Sequence, residues 1–308
     1  MKKGLKLKLG MSVASLALLA GALSTTTYAW FTTNAEAKTS NIEVNAEATS
    51  DSIYLSLDGV HFSNSVAITA SDVKLTAVSY KGDAYKKYNG QDAGTDSDWD
   101  STTAGVVNSE NGVTGTASAG QYLTFTLYFK TTSSGSNIVF DTDNTTFTNG
   151  ENKPFTLLAD YNESTAGTTY SNGYLVNATR LAVTSYSTGF EGAAKTENSN
   201  FGTGTREVYY TVDGTKTSYD TDKGTIKTDD TNYAWEYYQS VMGAKTNVKP
   251  TEEVAKAIES TTVVAANAKA GFIYKADFTF YVEGFDAECM DAVLGQAITM
   301  GLGFKLGQ

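Results

Sequence analysis

The chain carries one cysteine (Cys289), one histidine (His61) and two prolines (Pro154 and Pro250) in 308 residues. A lone cysteine excludes an intrachain disulfide, so stability must come from burial. A lone histidine excludes the two-histidine zinc motif of metalloproteases, which needs both imidazoles on one helix face. Basic residues are also in deficit: 23 Lys and Arg stand against 34 Asp and Glu, for a net charge of −11. Such a polyanion is a poor nucleic-acid partner. There is no Gly-rich phosphate loop ending in Lys-Ser/Thr and no Gly-x-Ser-x-Gly elbow, so neither nucleotide nor acyl-transfer chemistry is indicated and no cofactor is expected. No apolar run reaches the roughly 20 residues of a membrane-spanning helix.

What is present points to export. Lys2, Lys3, Lys6 and Lys8 form a basic leader, residues 9–23 an uncharged apolar stretch, and residues 24–29 a short polar segment ending in a small residue. This is the anatomy of a cleavable secretion signal, so a signal peptidase is an expected partner and the mature protein is expected outside the cell. Two cleavage positions compete. Thr27-Tyr28-Ala29 lies directly behind the apolar run, whereas Ala35-Glu36-Ala37 fits the small-x-small rule better but sits farther on. The first is favoured, placing the cut between Ala29 and Trp30 and leaving Trp30-Phe31 at the new terminus. Loss of the four leader lysines makes the mature chain more acidic still. Self-assembly of so acidic a chain is expected to need salt or divalent cations to screen the repulsion.

The run Leu9-Gly10-Met11-Ser12-Val13-Ala14-Ser15, followed by Thr27-Tyr28-Ala29-Trp30-Phe31, resembles the start of the TasA/camelysin family of exported Gram-positive matrix proteins. The resemblance covers about the first fifty residues. It implies processing by a dedicated ER-type signal peptidase, a jelly-roll sandwich, and assembly into extracellular fibres by exchange of an N-terminal strand. Camelysin relatives have been classed as peptidases, and the lone His61 departs from any such zinc mechanism. The stretch Phe280-Tyr281-Val282-Glu283-Gly284-Phe285-Asp286-Ala287-Glu288-Cys289 is similar to one found in other exported proteins with this type of signal.

The mature chain is rich in Thr, Ser, Gly, Asn and Tyr, and 41% hydrophobic residues suffice for a core. Apolar residues recur at every second position, the period of a half-buried strand. Ile42, Val44, Ala46 and Ala48 share one face, as do Ile53, Leu55 and Leu57. Asp58-Gly59 then predicts a tight hairpin into Val60-His61-Phe62. Further strands are expected over 74–80, 122–130, 137–140, 177–186, 272–282 and 297–306. Within 122–130, Leu123, Phe125, Leu127 and Phe129 oppose Thr124, Thr126 and Tyr128. The fold class expected is all-β: a jelly-roll-like β-sandwich formed by 42–188 and 271–308. Residues 30–41 make a mature N-terminal segment and 189–270 a mixed insertion, in which 208–212 is a strand candidate. Low periodicity over 81–119 predicts a long surface excursion. Pro250 with Glu252 and Glu253 predicts a helix carrying Val254 and Ile258. Asp286 is expected to N-cap a short C-terminal helix over 287–294, stopped by Gly295 before the last strand.

Chemistry-bearing groups are few. Asp96, Asp98 and Asp100 have the alternate spacing of a calcium loop but lack its Gly at the sixth position and Glu at the twelfth, so a solvated acidic loop is the better reading and no metal is assigned. Glu283 and Asp286 could form a carboxylate pair, but the capping role is preferred. His61 reads as a satisfied histidine at an edge or in the core, and Cys289 as a small buried hydrophobe. The Tyr209-Tyr210 and Trp235-Glu236-Tyr237-Tyr238 clusters leave two possibilities open, a carbohydrate- or protein-contacting surface and ordinary core packing.

The expected function is that of a secreted structural protein, a subunit of an extracellular or biofilm-matrix fibre. Trp30, Phe31, Ile42, Val44, Ala46 and Ala48 would form the assembly strand. The partners would be further copies of the chain and other matrix or cell-wall components. The alternative is a cell-surface binding module for a glycan or protein, with a secreted hydrolase more remote. N-terminal sequencing of the exported protein is expected to begin at Trp30. A start at Lys38, or an intact Met1 in membranes, contradicts the assignment.

Overall fold

A computed structural model describes residues 37–46, 53–89, 95–149, 153–156, 165, 167, 169–173, 175–191, 201–211, 251, 255–286, 289 and 297–307. The described residues are almost entirely β. The first strands are β1 (Ala37–Ala46), β2 (Ile53–Ser56), β3 (Ser65–Thr69) and β4 (Lys74–Leu75). A meander follows, β5 (Ala77–Lys81), β6 (Ala84–Tyr88) and β7 (Trp99–Ser101), and then β8 (Ala104–Ser109) and β9 (Thr114–Ala117). The middle of the chain gives β10 (Tyr122–Thr131), β11 (Ser136–Phe140), β12 (Thr146–Asn149), β13 (Lys153–Thr156), β14 (Thr169–Gly173) and β15 (Thr179–Tyr186). The remainder is β16 (Phe190–Glu191), β17 (Gly204–Tyr210), β18 (Ala255–Lys256), β19 (Val263–Ala268), β20 (Phe272–Glu283) and β21 (Ala297–Gly307).

These strands stack as two layers. In the front layer β19 pairs with β11, β11 with β21, β21 with β1, β1 with β3, and β3 with β9. In the back layer β2 pairs with β10, β10 with β20, β20 with β15, and β15 with β17. β8 belongs to both, pairing with β10 behind and β9 in front. The crossing is possible because two glycines meet there. A Cβ on Gly120 would lie 1.9 Å from the Gly105 amide nitrogen, a distance no side chain tolerates.

Period-2 alternation puts the apolar faces of both layers into one core. Leu123, Leu127 and Phe129 of β10 are fully buried, as are Phe278 and Phe280 of β20 and Leu302 and Phe304 of β21. Phe304 is the meeting point: its ring lies 4.9 Å from Phe129, 5.1 Å from Phe140 and 6.1 Å from Phe278. Edge-on and tilted contacts of this kind add to the area term. The polar face of the back layer is not wholly solvated, because Tyr128 is covered by Phe201, Phe62 and Ile273 in a separate cluster.

The all-β, sandwich-like class and its main strands agree with the alternation in the sequence. Within the mixed segment 189–270, β17 overlaps the strand candidate at 208–212 and pairs in the back layer, while β19 pairs in the front. Three local expectations do not hold. The stretch 81–119 is no excursion: it supplies β6 to β9 and buries Tyr88 and Trp99. Ala255–Lys256 is a strand beside β17 rather than part of a helix, and 252–254 lie outside the described residues. The short C-terminal helix is not seen: Asp286 sits in a bend, Cys289 is in no regular element, and the rest of 287–294 lies outside the described residues. Among the described residues no helix is long and apolar enough to cross a membrane.

Replacing Phe304 by Ala is expected to lower the unfolding free energy by about 3–5 kcal/mol in urea titrations, the usual cost of deleting a buried Phe.

Candidate functional site

β1 is the element the sequence assigns to assembly, and it lies in the interior of the front layer. It runs parallel to β21 on one side and antiparallel to β3 and β4 on the other. Ile42 stands between Ile68 and Met300, and Val44 between Val66 and Leu302, so two apolar rows cross the sheet through β1. Ile42 and Val44 are completely buried, and Ala46 is partly buried against the same core. A β-bulge between Thr39 and Ile42 interrupts the register with β21. Such a bulge bends the strand, and the segment before it remains paired, Lys38 and Thr39 with β21 and Ala37 and Lys38 with β4. Ala29, Trp30, Phe31 and Ala48 lie outside the described residues.

Glu283 and Asp286, weighed in the sequence as a carboxylate pair, each have a partner within the fold. Asp286 is buried in an ion pair with Arg180 of β15, with Oδ2 2.5 Å from an Arg180 amino group. Arg180 also donates to the Thr179 carbonyl at 2.8 Å and lies 4.5 Å from the Tyr210 ring centre. Burial is the largest single influence and would lower the pKa of this guanidinium, but the charge and hydrogen bond of Asp286 together with Tyr210 and Glu283 outweigh it, so the net shift is upward and the ion is held charged. Glu283 accepts from the Ser79 hydroxyl of β5 and from the Phe285 amide at 3.2 Å. Burial pushes its carboxyl above the ordinary Glu value, against the opposing pull of Ser79 and Arg180. Both carboxylates thus serve contacts within the fold, and together they fasten the turn after β20 onto β15 and β5. The residues were visible in the sequence; the Arg180 partner, 106 positions away, was not.

The remaining candidates are dispersed. His61 is not in a strand but in a wide turn, exposed, with Nδ1 2.8 Å from Asp58 Oδ2. Asp58 also accepts from the Val60 and His61 amides and from the Ser56 hydroxyl. Burial of this carboxyl raises its pKa, but the hydrogen bonds from His61, Val60 and Ser56 prevail and hold it at about 2. The turn takes this shape because Asp58 gathers its amides, with Gly59 at φ 73°. The tight hairpin expected at Asp58-Gly59 is therefore widened, and β2 and the chain before β3 meet at a Leu55–Ser63 bridge.

Asp96, Asp98 and Asp100 do not converge. Asp98 is buried and accepts from the Thr95 amide, while Asp100 accepts from Asn89 at 3.0 Å. Among the described residues there is no group of three or more His, Cys, Asp or Glu side chains that could hold a metal ion. Cys289 is buried in the core. Of the tyrosine clusters, Tyr209 and Tyr210 are buried, and 235–238 lie outside the described residues.

No protein-family model, no curated protein and no solved structure matches this chain.

The Arg180–Asp286 pair yields a direct test. Asp286→Ala leaves a buried guanidinium without its carboxylate and is expected to cost about 3–5 kcal/mol in urea unfolding. Arg180→Met combined with Asp286→Leu is expected to recover most of that loss, because two apolar residues leave no unpaired charge. Equal losses in the single and double variants would show that the pair is not the source.

Proposed function

We propose that the chain is an exported structural subunit of an extracellular, biofilm-matrix-type fibre, in which β1 of one copy completes the front layer of the next. The observation that carries this reading is the placement of β1. It is an N-terminal strand held between β21 and the β3–β4 edge, with its apolar face contributing Ile42 and Val44 to the core. Withdrawing it leaves a slot with unpaired backbone groups on both walls and an apolar floor. A second copy carries the one strand whose register and side chains match that slot. Main-chain ladders on two sides supply affinity, and the Ile42 and Val44 positions supply specificity.

Export and cleavage belong to the same reading. A cut after Ala29 frees the end of the strand, and Trp30 and Phe31 then extend the contact onto the neighbouring copy, where each buried aromatic contributes about 1.5–3 kcal/mol. The acidity of the chain keeps copies apart at low ionic strength, so assembly waits for salt or divalent cations.

The test is sedimentation with electron microscopy on the chain beginning at Trp30. Polymer is expected at physiological salt, and a synthetic peptide of residues 30–48 is expected to block it by occupying the slot. A chain that remains monomeric across salt and calcium titrations, or polymerisation indifferent to the peptide, overturns the proposal.

A further inference from the structure

The back layer carries a cavity at the place where its edge is interrupted. Along that edge β10 is paired with β8 at Tyr122–Thr124 and with β2 at Tyr128–Thr131. Residues 125–127 fall between the two ladders, because β8 turns away there to join the front layer. The gap opens into a cavity of about 390 Å³, within the 300–1,000 Å³ range of small-molecule sites.

Its floor is polar and its side wall apolar. Thr124 and Thr279 face each other across β10 and β20, and Thr126 faces Asp277 one step along. Asp277 is rigidly placed: it accepts from Thr126 at 2.6 Å and from Tyr186 at 2.7 Å, and it pairs with Lys275 at 3.0 Å. An ionised carboxylate has about four acceptor positions, so capacity remains after these three. The Thr124 and Thr279 hydroxyls have no protein partner among the described residues. The apolar lining is Leu57, Val106, Val107, Phe125 and Phe278, and Val106 is 48% exposed, one of the few large apolar side chains left open to solvent among the described residues.

The lining selects the ligand class. An anion is disfavoured by Asp277 and by the net charge of −11. A bare cation finds a single carboxylate already neutralised by Lys275, too few oxygens for a metal. A purely apolar ligand would bury the Thr124 and Thr279 hydroxyls without hydrogen bonds. A neutral polyol with one apolar face satisfies all of these features. We propose that this cavity binds a neutral saccharide, with Thr124, Thr279 and Asp277 taking sugar hydroxyls and Leu57 and Val106 meeting the C–H face of the ring. The site lies on the back layer while β1 lies in the front, so a fibre built through β1 leaves it to hold the fibre to polysaccharide.

Calorimetric titration of the purified chain with cellohexaose, laminarihexaose, chitohexaose and mannohexaose tests this. Saturable binding of at least one is expected, with Kd in the range of about 10 μM to 1 mM. Thr124→Val with Thr279→Val keeps β-branched side chains in both strands and removes only hydroxyls without protein partners. It is expected to weaken binding by about tenfold or more. Val106→Glu alters an exposed side chain of the wall and is expected to weaken it comparably, which decides the matter should the double variant fail to fold. No binding of any of the four sugars at about 5 mM, or binding unchanged in a folded variant, overturns the proposal.

Discussion

Everything in this fold depends on burying two sheet faces against each other without a covalent cross-link. With one cysteine there is no disulfide to restrict the unfolded chain, and the two layers are held by side-chain contact alone. The seam is aromatic: Phe129, Phe140 and Phe278 converge on Phe304, and Phe125 stacks on Phe278 at 5.1 Å. β10, β20 and β21 are long strands of 10, 12 and 11 residues in the back and front layers, and they carry most of these rings. The shorter strands take their positions from them.

β1 is bound into this arrangement more tightly than an accessory strand would be. Ile42 and Val44 each continue an apolar row that starts on β3 and ends on β21. The strand that begins the described structure is therefore also one its core requires. The same features that make β1 valuable within a subunit make it exchangeable between subunits, since a slot that accepts its own strand accepts an identical one from a neighbour. At the other end of the back layer, the Arg180–Asp286 pair and the Ser79–Glu283 contact tie the turn after β20 to β15 and β5. A buried pair of this sort contributes little net stability but penalises every arrangement in which the two charges are apart.

The long two-faced strands could be read from the sequence because each carries its own burial pattern. Leu123, Phe125, Leu127 and Phe129 alternate with polar residues, and one face must go inward wherever the strand is placed. The stretch 81–119 could not be read that way. β8 (AGVVNS) and β9 (TGTA) have small side chains and weak alternation, and they are strands because β10 and β3 offer them edges to pair with. The ion pair of Asp286 escaped notice for a related reason. Its neighbours in sequence suggested a helix cap, whereas its partner Arg180 comes from a strand 106 positions away.

The cavity in the back layer had no signal in the sequence at all. Thr124, Thr126, Asp277 and Thr279 are ordinary polar positions of two strands, and only the register that sets Thr124 opposite Thr279 and Thr126 opposite Asp277 brings them together. The sequence by itself determined the class of the fold, the faces of the principal strands, the absence of a disulfide and the excess of negative charge, because these follow from composition and from a period of two. The tertiary structure decided which strand lies beside which, where β8 leaves β10, and which polar groups share a cavity or an ion pair. Those outcomes depend on contacts between residues far apart in the chain, and no local pattern encodes them.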